Sequence, residues 1–468
     1  MSHTAPPLAD APASVAEELR ALVRLAGPLV AANLLQMAVF AVDVLFVSRL
    51  GATEFAAASL GVFLFNVLTF ALIGMAGAAE PIIAAALGAR VGAVREVRRT
   101  FRMALWLVVV AALPVIAVLL SAERLFLLAG QDVAVAARAG AFLDVLALAV
   151  IPAAAAGLLR LTAAALGRPG YVFAVTAAGL ATGILANWLL VFGNGGFPAL
   201  GLEGSAIASV SVSVAMLLAY VVVLLTDRRL RRYRLFGRWW RSDWPQFARV
   251  LKLGLPIALT WTFEGGLFGG VALLMGLIGV VEVAAHAVAL NIAAFAFQVP
   301  FGIAQAATIR VGLAYGAGGT RWMGRAGNVA LVLGTGVMVA SAGLIWAIPH
   351  RLVGLYLDPG PATAATALLA VRFLGVAAVF QLVDGAQAVA QGILRGLQDT
   401  RVPMVVALFG YWVVGFGAAA LLGFRTPLAG VGIWWGLALG LAVVAVLLVW
   451  RWSMRDRLGL LSRTARPN

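Results

Sequence analysis

The chain has 468 residues, is 63% hydrophobic and only 11% charged, and has a mean hydropathy of +1.02. A soluble domain is roughly half apolar and about a quarter charged, and it cannot hold this much apolar surface without large exposed patches. Composition thus excludes a soluble globular protein; the absence of cysteine excludes disulfides, thiolate metal sites and redox chemistry.

Met1 to Arg20 is polar and rich in Pro and Ala. It lacks the short apolar core and small-residue cleavage site of a secretory signal, so a polar cytoplasmic segment ahead of a retained first helix is expected. Twelve apolar runs follow, each able to supply the roughly 20 residues of a membrane-crossing helix. The first six cover about 21–49, 55–87, 99–121, 134–165, 171–193 and 203–226. The second six cover about 247–278, 283–315, 325–348, 364–395, 402–423 and 430–452. Unbroken apolar runs do not alternate as barrel strands do, so the spans are helices. Pro28, Pro81, Pro152, Pro256 and Pro300 lie inside them and permit bends.

The formal charge of +15 sits in gaps between spans, chiefly Asp227 to Arg241, Arg90 to Arg102 and Arg451 to Arg466. These alternate with gaps almost free of Lys and Arg, such as Gly193 to Gly204. That is the positive-inside pattern and places both termini in the cytoplasm; it also argues against nucleic acid as a partner. The expected organisation is a polar segment 1–20, a six-helix bundle 21–227, a basic linker 228–245, a second six-helix bundle 246–452 and a basic tail 453–468.

The two bundles repeat. Sliding Arg24 to Ala89 onto Lys252 to Ala317 at an offset of 228 needs no gap. Pro28 then meets Pro256, Leu50-Gly51 meets Ile278-Gly279, Ala57 meets Ala285 and Gly88 meets Gly316. Repeats of six spans enter the membrane with the same polarity, and transporters built this way carry their substrate path near mid-membrane between the repeats. The fold class expected is all-α: twelve transmembrane helices in two pseudo-symmetric bundles.

Ionisable residues within spans are costly, at about 2.5–3.5 kcal/mol near the centre on insertion scales, and are functional candidates by default. Here they are Asp43, Glu80, Glu264, Arg310 and Asp384. Glu264 and Asp384 lie about eleven or more residues into their spans, or about 16–20 Å at 1.5 Å per residue. Two carboxyls at that depth suit a proton or a hard cation such as Na⁺. Asp43 lies nearer an end of span one. Glu80 precedes Pro81, where it can serve a kink. Arg310 is expected to neutralise one of the acids. The polar residues Gln36, Asn187, Asn291, Gln381 and Gln387, with the aromatic Phe380, either line a pathway or hold helices together. Gln36 is the repeat counterpart of Glu264.

The only lysine is Lys252, and no G-x-x-x-x-G-K-[ST] loop occurs, so the chain is not expected to hydrolyse ATP itself. Three histidines without cysteine make a zinc enzyme improbable.

Gln36 and Asp43 before Ser48-Arg49-Leu50-Gly51, Phe263-Glu264, Ala284 to Asn291, Ile309-Arg310-Val311-Gly312, Gln381 to Asp384 and Leu394 to Thr400 together resemble multidrug and toxic compound extrusion (MATE) transporters of the NorM-like branch. The resemblance runs in order from about residue 20 to 450. It implies a bacterial inner-membrane antiporter, not an enzyme, acting as a monomer. Such a protein exports small lipophilic organic cations in exchange for H⁺ or Na⁺, with membrane lipid as its surroundings and no cofactor. It assigns cation coupling to Glu264 and Asp384, with Na⁺ as a possible occupant of their site, and to Asp43 as the acid of the other half. Phe380 stands where a relative carries tyrosine, which weakens the case for sodium. The alternatives are a lipid-linked precursor flippase of the same superfamily, which would favour a cationic cavity, and a proton-channel subunit, which would favour membrane-crossing chains of Lys, His and Glu.

Overall fold

The computed structural model describes residues 12–358 and 360–461. Residues 1–11 of the expected polar N-terminal segment and 462–468 of the expected basic C-terminal tail lie outside the described residues. Among the described residues, no strand occurs and twelve helices are long and apolar enough to cross a membrane. They are α1 (Val15–Val47), α2 (Ala52–Ala89), α3 (Ala93–Leu119), α4 (Val133–Ala165), α5 (Pro169–Leu190), α6 (Gly201–Thr226), α7 (Trp244–Ile278), α8 (Val280–Gly316), α9 (Thr320–Ala347), α10 (Ala364–Gly396), α11 (Arg401–Arg425) and α12 (Gly430–Ser453).

Helix α1 begins six residues before the apolar run expected from residue 21, because a capping box starts it. The backbone N–H of Glu17 donates to Ser14 Oγ at 3.1 Å, and Glu17 Oε2 accepts from the N–H of Ala13 at 2.7 Å and of Ser14 at 3.4 Å. This S-x-x-E arrangement satisfies the first turn's unpaired donors. Helix α4 is started by Asp132, whose carboxylate accepts from the N–H groups of Ala134 and Val135.

Proline marks the breaks. Helix α2 is interrupted at Gly77 and Ala78, and α4 passes through a 3₁₀ turn at Ala147–Ala149. Pro81 and Pro152 are each the third residue of the segment that follows, where a missing N–H removes no helix bond. Pro28, Pro256 and Pro300 lie within continuous helices. Helix α11 widens into a π-helical stretch over Phe409–Phe416.

Among the described residues the chain divides into two compact units, one formed by Ala31–Ala258 and the other by 12–30 together with 259–461. The division therefore does not fall at the basic linker. Helix α1 passes from the second unit to the first two residues after Pro28, and α7 makes the opposite passage two residues after Pro256. In the first unit α4 packs against α2, α3 and α6, and α5 against α6. In the second, α10 is central and packs on α8, α9 and α12. There α11 and α12 approach at backbone distance. A side chain at Gly436 would collide with the backbone of Ala419, and one at Gly440 with Gly415. Small residues at a four-residue spacing allow this closeness.

Arg310 does not neutralise Glu264 or Asp384 as expected. Its Nε and Nη2 donate to the two carboxylate oxygens of Glu18, each at 2.7 Å. Both residues are almost fully buried, Trp322 Nε1 donates to Glu18 Oε2 at 3.1 Å, and the guanidinium lies 5.2 Å from the Trp322 ring. Hydropathy placed Glu18 outside the membrane helix; the capping box winds it into α1 and turns it toward α8 and α9. The bidentate fork is the strong form of this pairing.

The segment between α6 and α7 is fixed at both ends. Asp227 accepts from the N–H groups of Arg229 and Leu230 and from the Tyr171 hydroxyl, and pairs with Arg168 at 3.1 Å. Burial raises its carboxyl, but those donors outweigh burial and hold it below the usual carboxylate range. Asp243 takes a hydrogen bond from Arg99 Nε at 2.6 Å. That bond, only partly opposed by burial, holds its carboxyl below the usual range as well.

Two outcomes follow from these pairs. Arg310→Met leaves Glu18 buried without its counter-charge and is expected to cost about 3–5 kcal/mol, read as the shift of the unfolding transition in detergent. Glu18→Gln combined with Arg310→Met should recover part of the loss. A carboxyl depressed in the folded state contributes stability that is present above its unfolded value of about 3.9 and is lost as pH falls through the folded value. Asp243→Asn should therefore melt earlier than wild type at neutral pH. The two should converge as pH falls below about 4.

Candidate functional site

The second unit gathers a set of polar residues around Glu264 on α7 and Asp384 on α10. Along α10 the sequence places Gln381, Asp384, Gln387, Gln391 and Arg395 at spacings of three and four residues, which is one helix face. Asp384 is 5% exposed and Gln387 1%, while Glu264 is partly buried. Gln387 Nε2 donates to Glu264 Oε1 at 3.2 Å, and the Glu264 charge acts on Asp384. Two acceptors, Asp384 Oδ1 and Gln387 Oε1, are buried with no hydrogen-bond partner. Gln381 accepts from Ser341 Oγ at 2.7 Å, while its own Nε2 is buried and unpartnered.

Tyr411, fully buried on the π-helical stretch of α11, feels both carboxyls, and its hydroxyl accepts from Gln391 Nε2 at 3.2 Å. Arg395 lies at the end of the same face, 5.6 Å from the Trp261 ring, and its charge reaches Glu264. Phe380, 2% exposed, meets Phe268 and Trp434 edge-on at 6.2 and 5.9 Å. Its ring supports the α10 face from within the core. Asn291 is exposed and donates to Ala287 O of its own helix, apart from this set.

The first unit holds a separate set. Asp43 on α1 accepts from Asn187 Nδ2 at 2.7 Å and from Ser209 Oγ at 3.2 Å. Asn187 is fully buried and also donates to Gly183 O, and its own carbonyl oxygen is unpartnered. Gln36 lies seven residues before Asp43, on the same helix face. Thus the sequence candidates fall into two groups, Glu264 with Asp384, Gln381 and Gln387, and Asp43 with Asn187.

Sequence reasoning missed Arg160, Ser209, Gln391 and Tyr411. Arg160 on α4 donates to Asn33 Oδ1 on α1 and lies in the field of Glu80, which is 2% exposed. The available signal was an arginine inside a span, five residues from its end. Ser209 and Tyr411 gave none, because a serine or tyrosine in an apolar helix is ordinary. No cluster of three or more His, Cys, Asp or Glu occurs among the described residues; the two unpartnered acceptors, Asp384 Oδ1 and Gln387 Oε1, are both oxygens.

The architecture and its two polar sets define a multi-pass α-helical membrane protein made of two repeats. The MatE family profile matches residues 28–189 and again 256–421, two stretches that start at the 228-residue offset of the internal repeat. The chain belongs to the MatE family. It is 46% identical over 444 residues to a protein of Mesorhizobium japonicum named "Probable multidrug resistance protein NorM", covering 94% of this chain and 95% of that one. A protein of the same name from Brucella suis is 43% identical, with 93% of each chain covered. Among solved structures, "Crystal structure of eukaryotic MATE transporter AtDTX14" superposes with a TM-score of 0.86 at 21% identity, covering 96% of this chain and 98% of that one. An "Outward-facing conformation of a multidrug resistance MATE family transporter of the MOP superfamily" gives 0.86 at 19% identity over 100% of both chains. At such identities the structures establish the fold.

The partly buried Arg160 and the buried Glu80 are expected to couple. In a double-mutant cycle of Arg160→Met and Glu80→Gln, the double variant should be more stable than the two single losses add to, by about 1–2 kcal/mol. Unfolding in detergent measures it, and strict additivity would place the two groups in independent environments.

Proposed function

We propose that the chain is a secondary antiporter that exports small lipophilic organic cations, as a multidrug efflux protein of the bacterial inner membrane, in exchange for H⁺ or Na⁺. On this reading it is a transporter and not an enzyme, works as a monomer without a cofactor, and keeps both termini in the cytoplasm. The observation that carries the reading is the second unit's carboxyl pair. Asp384 is buried in a membrane span, in the field of Glu264, with Oδ1 lacking any donor.

Two negative charges in a low-dielectric site are strongly disfavoured unless a cation joins them. A proton, a sodium ion or an organic cation each meets that need, and no two meet it together without loss. Exchange follows from this competition. The coupling ion neutralises the pair and favours release of the drug, and the drug displaces the ion when it enters from the cytoplasm. The oxygen donors fit a hard cation: carboxylates from Glu264 and Asp384 and the unpartnered amide oxygen of Gln387. Oxygen ligands of this kind suit Na⁺ as well as they suit a proton. Asp43 is the acid of the first unit, and its two donors stabilise it as an acceptor, so its part is to attract the organic cation. The relatives named as multidrug resistance proteins support this substrate class.

Asp384→Asn is expected to abolish ion-driven ethidium efflux from proteoliposomes, down to the rate of protein-free vesicles, with folding intact by thermal transition. Glu264→Gln should do the same, and Asp43→Asn should weaken drug uptake more than ion coupling. Imposing a pH gradient in sodium-free buffer separates the two ions, since efflux under that condition assigns the proton. Undiminished efflux by Asp384→Asn would remove the pair from the mechanism.

A further inference from the structure

The segment joining α6 to α7 carries arginines and tryptophans that the transport cycle does not use. It is not a loose charged run. Leu230, Tyr233 and Leu235 are buried, and Phe236 meets Phe101 edge-on at 5.5 Å. Arg102 Nη1 donates to the carbonyl of Arg238 at 3.3 Å, and Trp106 Nε1 donates to the carbonyl of Trp239 at 2.9 Å. The segment is thereby strapped along α3, within the first unit.

Its outward side chains are of two kinds. Trp239 and Trp240 are 57% and 66% exposed. Arg229, Arg231, Arg234 and Arg238 of the same segment are exposed as well. The only acids between α6 and α7, Asp227 and Asp243, are already held by Arg168 and Arg99, so they do not cancel this positive face.

The depth of the strap is fixed by α3. On one side of the crossing α3 carries Arg95, Arg98, Arg99 and Arg102; beyond Met103 it is apolar to its end, apart from the indole of Trp106. The carbonyls of Arg238 and Trp239 bond to Arg102 and Trp106, one on each side of that change. Trp239 and Trp240 thus sit where the helix passes from its charged part into its apolar part, the level at which headgroups meet hydrocarbon and indoles are favoured.

We infer that this strap is a binding face for anionic phospholipid, with Trp239 and Trp240 seated at the interface and the strap's exposed arginines on the headgroup phosphates. The planar guanidinium fork matches phosphate oxygens two at a time. Each basic residue close to an anionic leaflet is worth roughly a five-fold gain in binding. A soluble acidic protein would account for the arginines but not for paired indoles placed at the hydrocarbon boundary.

The test is native mass spectrometry of the full-length protein in detergent with added phosphatidylglycerol or phosphatidylcholine of identical chains. Wild type should retain phosphatidylglycerol at least ten-fold better, and the preference should fall as salt rises. R231Q and R234Q singly should each reduce it several-fold, and R229Q/R231Q/R234Q should bring it near unity. W239A/W240A should weaken retention of both lipids. R321Q/R457Q, which removes two arginines elsewhere, should leave the preference unchanged. Equal retention of the two lipids by wild type would overturn the assignment, whether or not any variant folds. So would an undiminished preference in the triple variant, or equally tight binding of free glycerophosphate, which would make the face a site for soluble anions.

Discussion

An ionic group within a membrane span must find its partner in protein, because no water is at hand and the cost of an unpaired charge there is large. Most of this chain's intramembrane polar groups obey that constraint with short local solutions. Arg310 has Glu18, Asp43 has Asn187 and Ser209, and Arg160 has Asn33 with Glu80 nearby. Asp384 is the departure. Its Oδ1 is buried and undonated beside another acid. On the proposed antiport reading, that undonated oxygen is where a mobile cation would enter.

The two repeats share a backbone plan but not a charge plan. At the 228-residue offset, a neutral amide at Gln36 answers the acid at Glu264. Asp43 is held by two neutral donors, while Glu264 receives one and faces a second carboxyl. Duplicated scaffolds can thus diverge in function by changing a few side chains on conserved helices, since lipid-facing and packing surfaces carry most of the sequence's apolar constraint.

The spans, their helical nature and the repeat were legible because apolar length and period are properties of a single stretch of chain. Glu264, Asp384 and Asp43 were legible because a lone acid in such a stretch is conspicuous. What was not legible depends on packing. Hydropathy could not see that Ser14 and Glu17 start α1 early and carry Glu18 inward, so Arg310 was assigned to the wrong acid. The partners Ser209, Gln391 and Tyr411 are common residue types whose role comes only from the helix opposite. Asn291 bonds within its own helix and Phe380 packs in an aromatic core, neighbours that the sequence alone does not reveal.

The compact units and the sequence repeats do not own the same residues. Cut at the strap, an N-terminal fragment would take with it the Glu18 that neutralises Arg310, and a C-terminal fragment would take Trp244 to Ala258, which belongs to the other unit. Neither half-gene product would hold all the chain its own core requires. A natural or engineered split of this gene would yield two polypeptides that mature only when made together, each lending the other the opening turns of a helix.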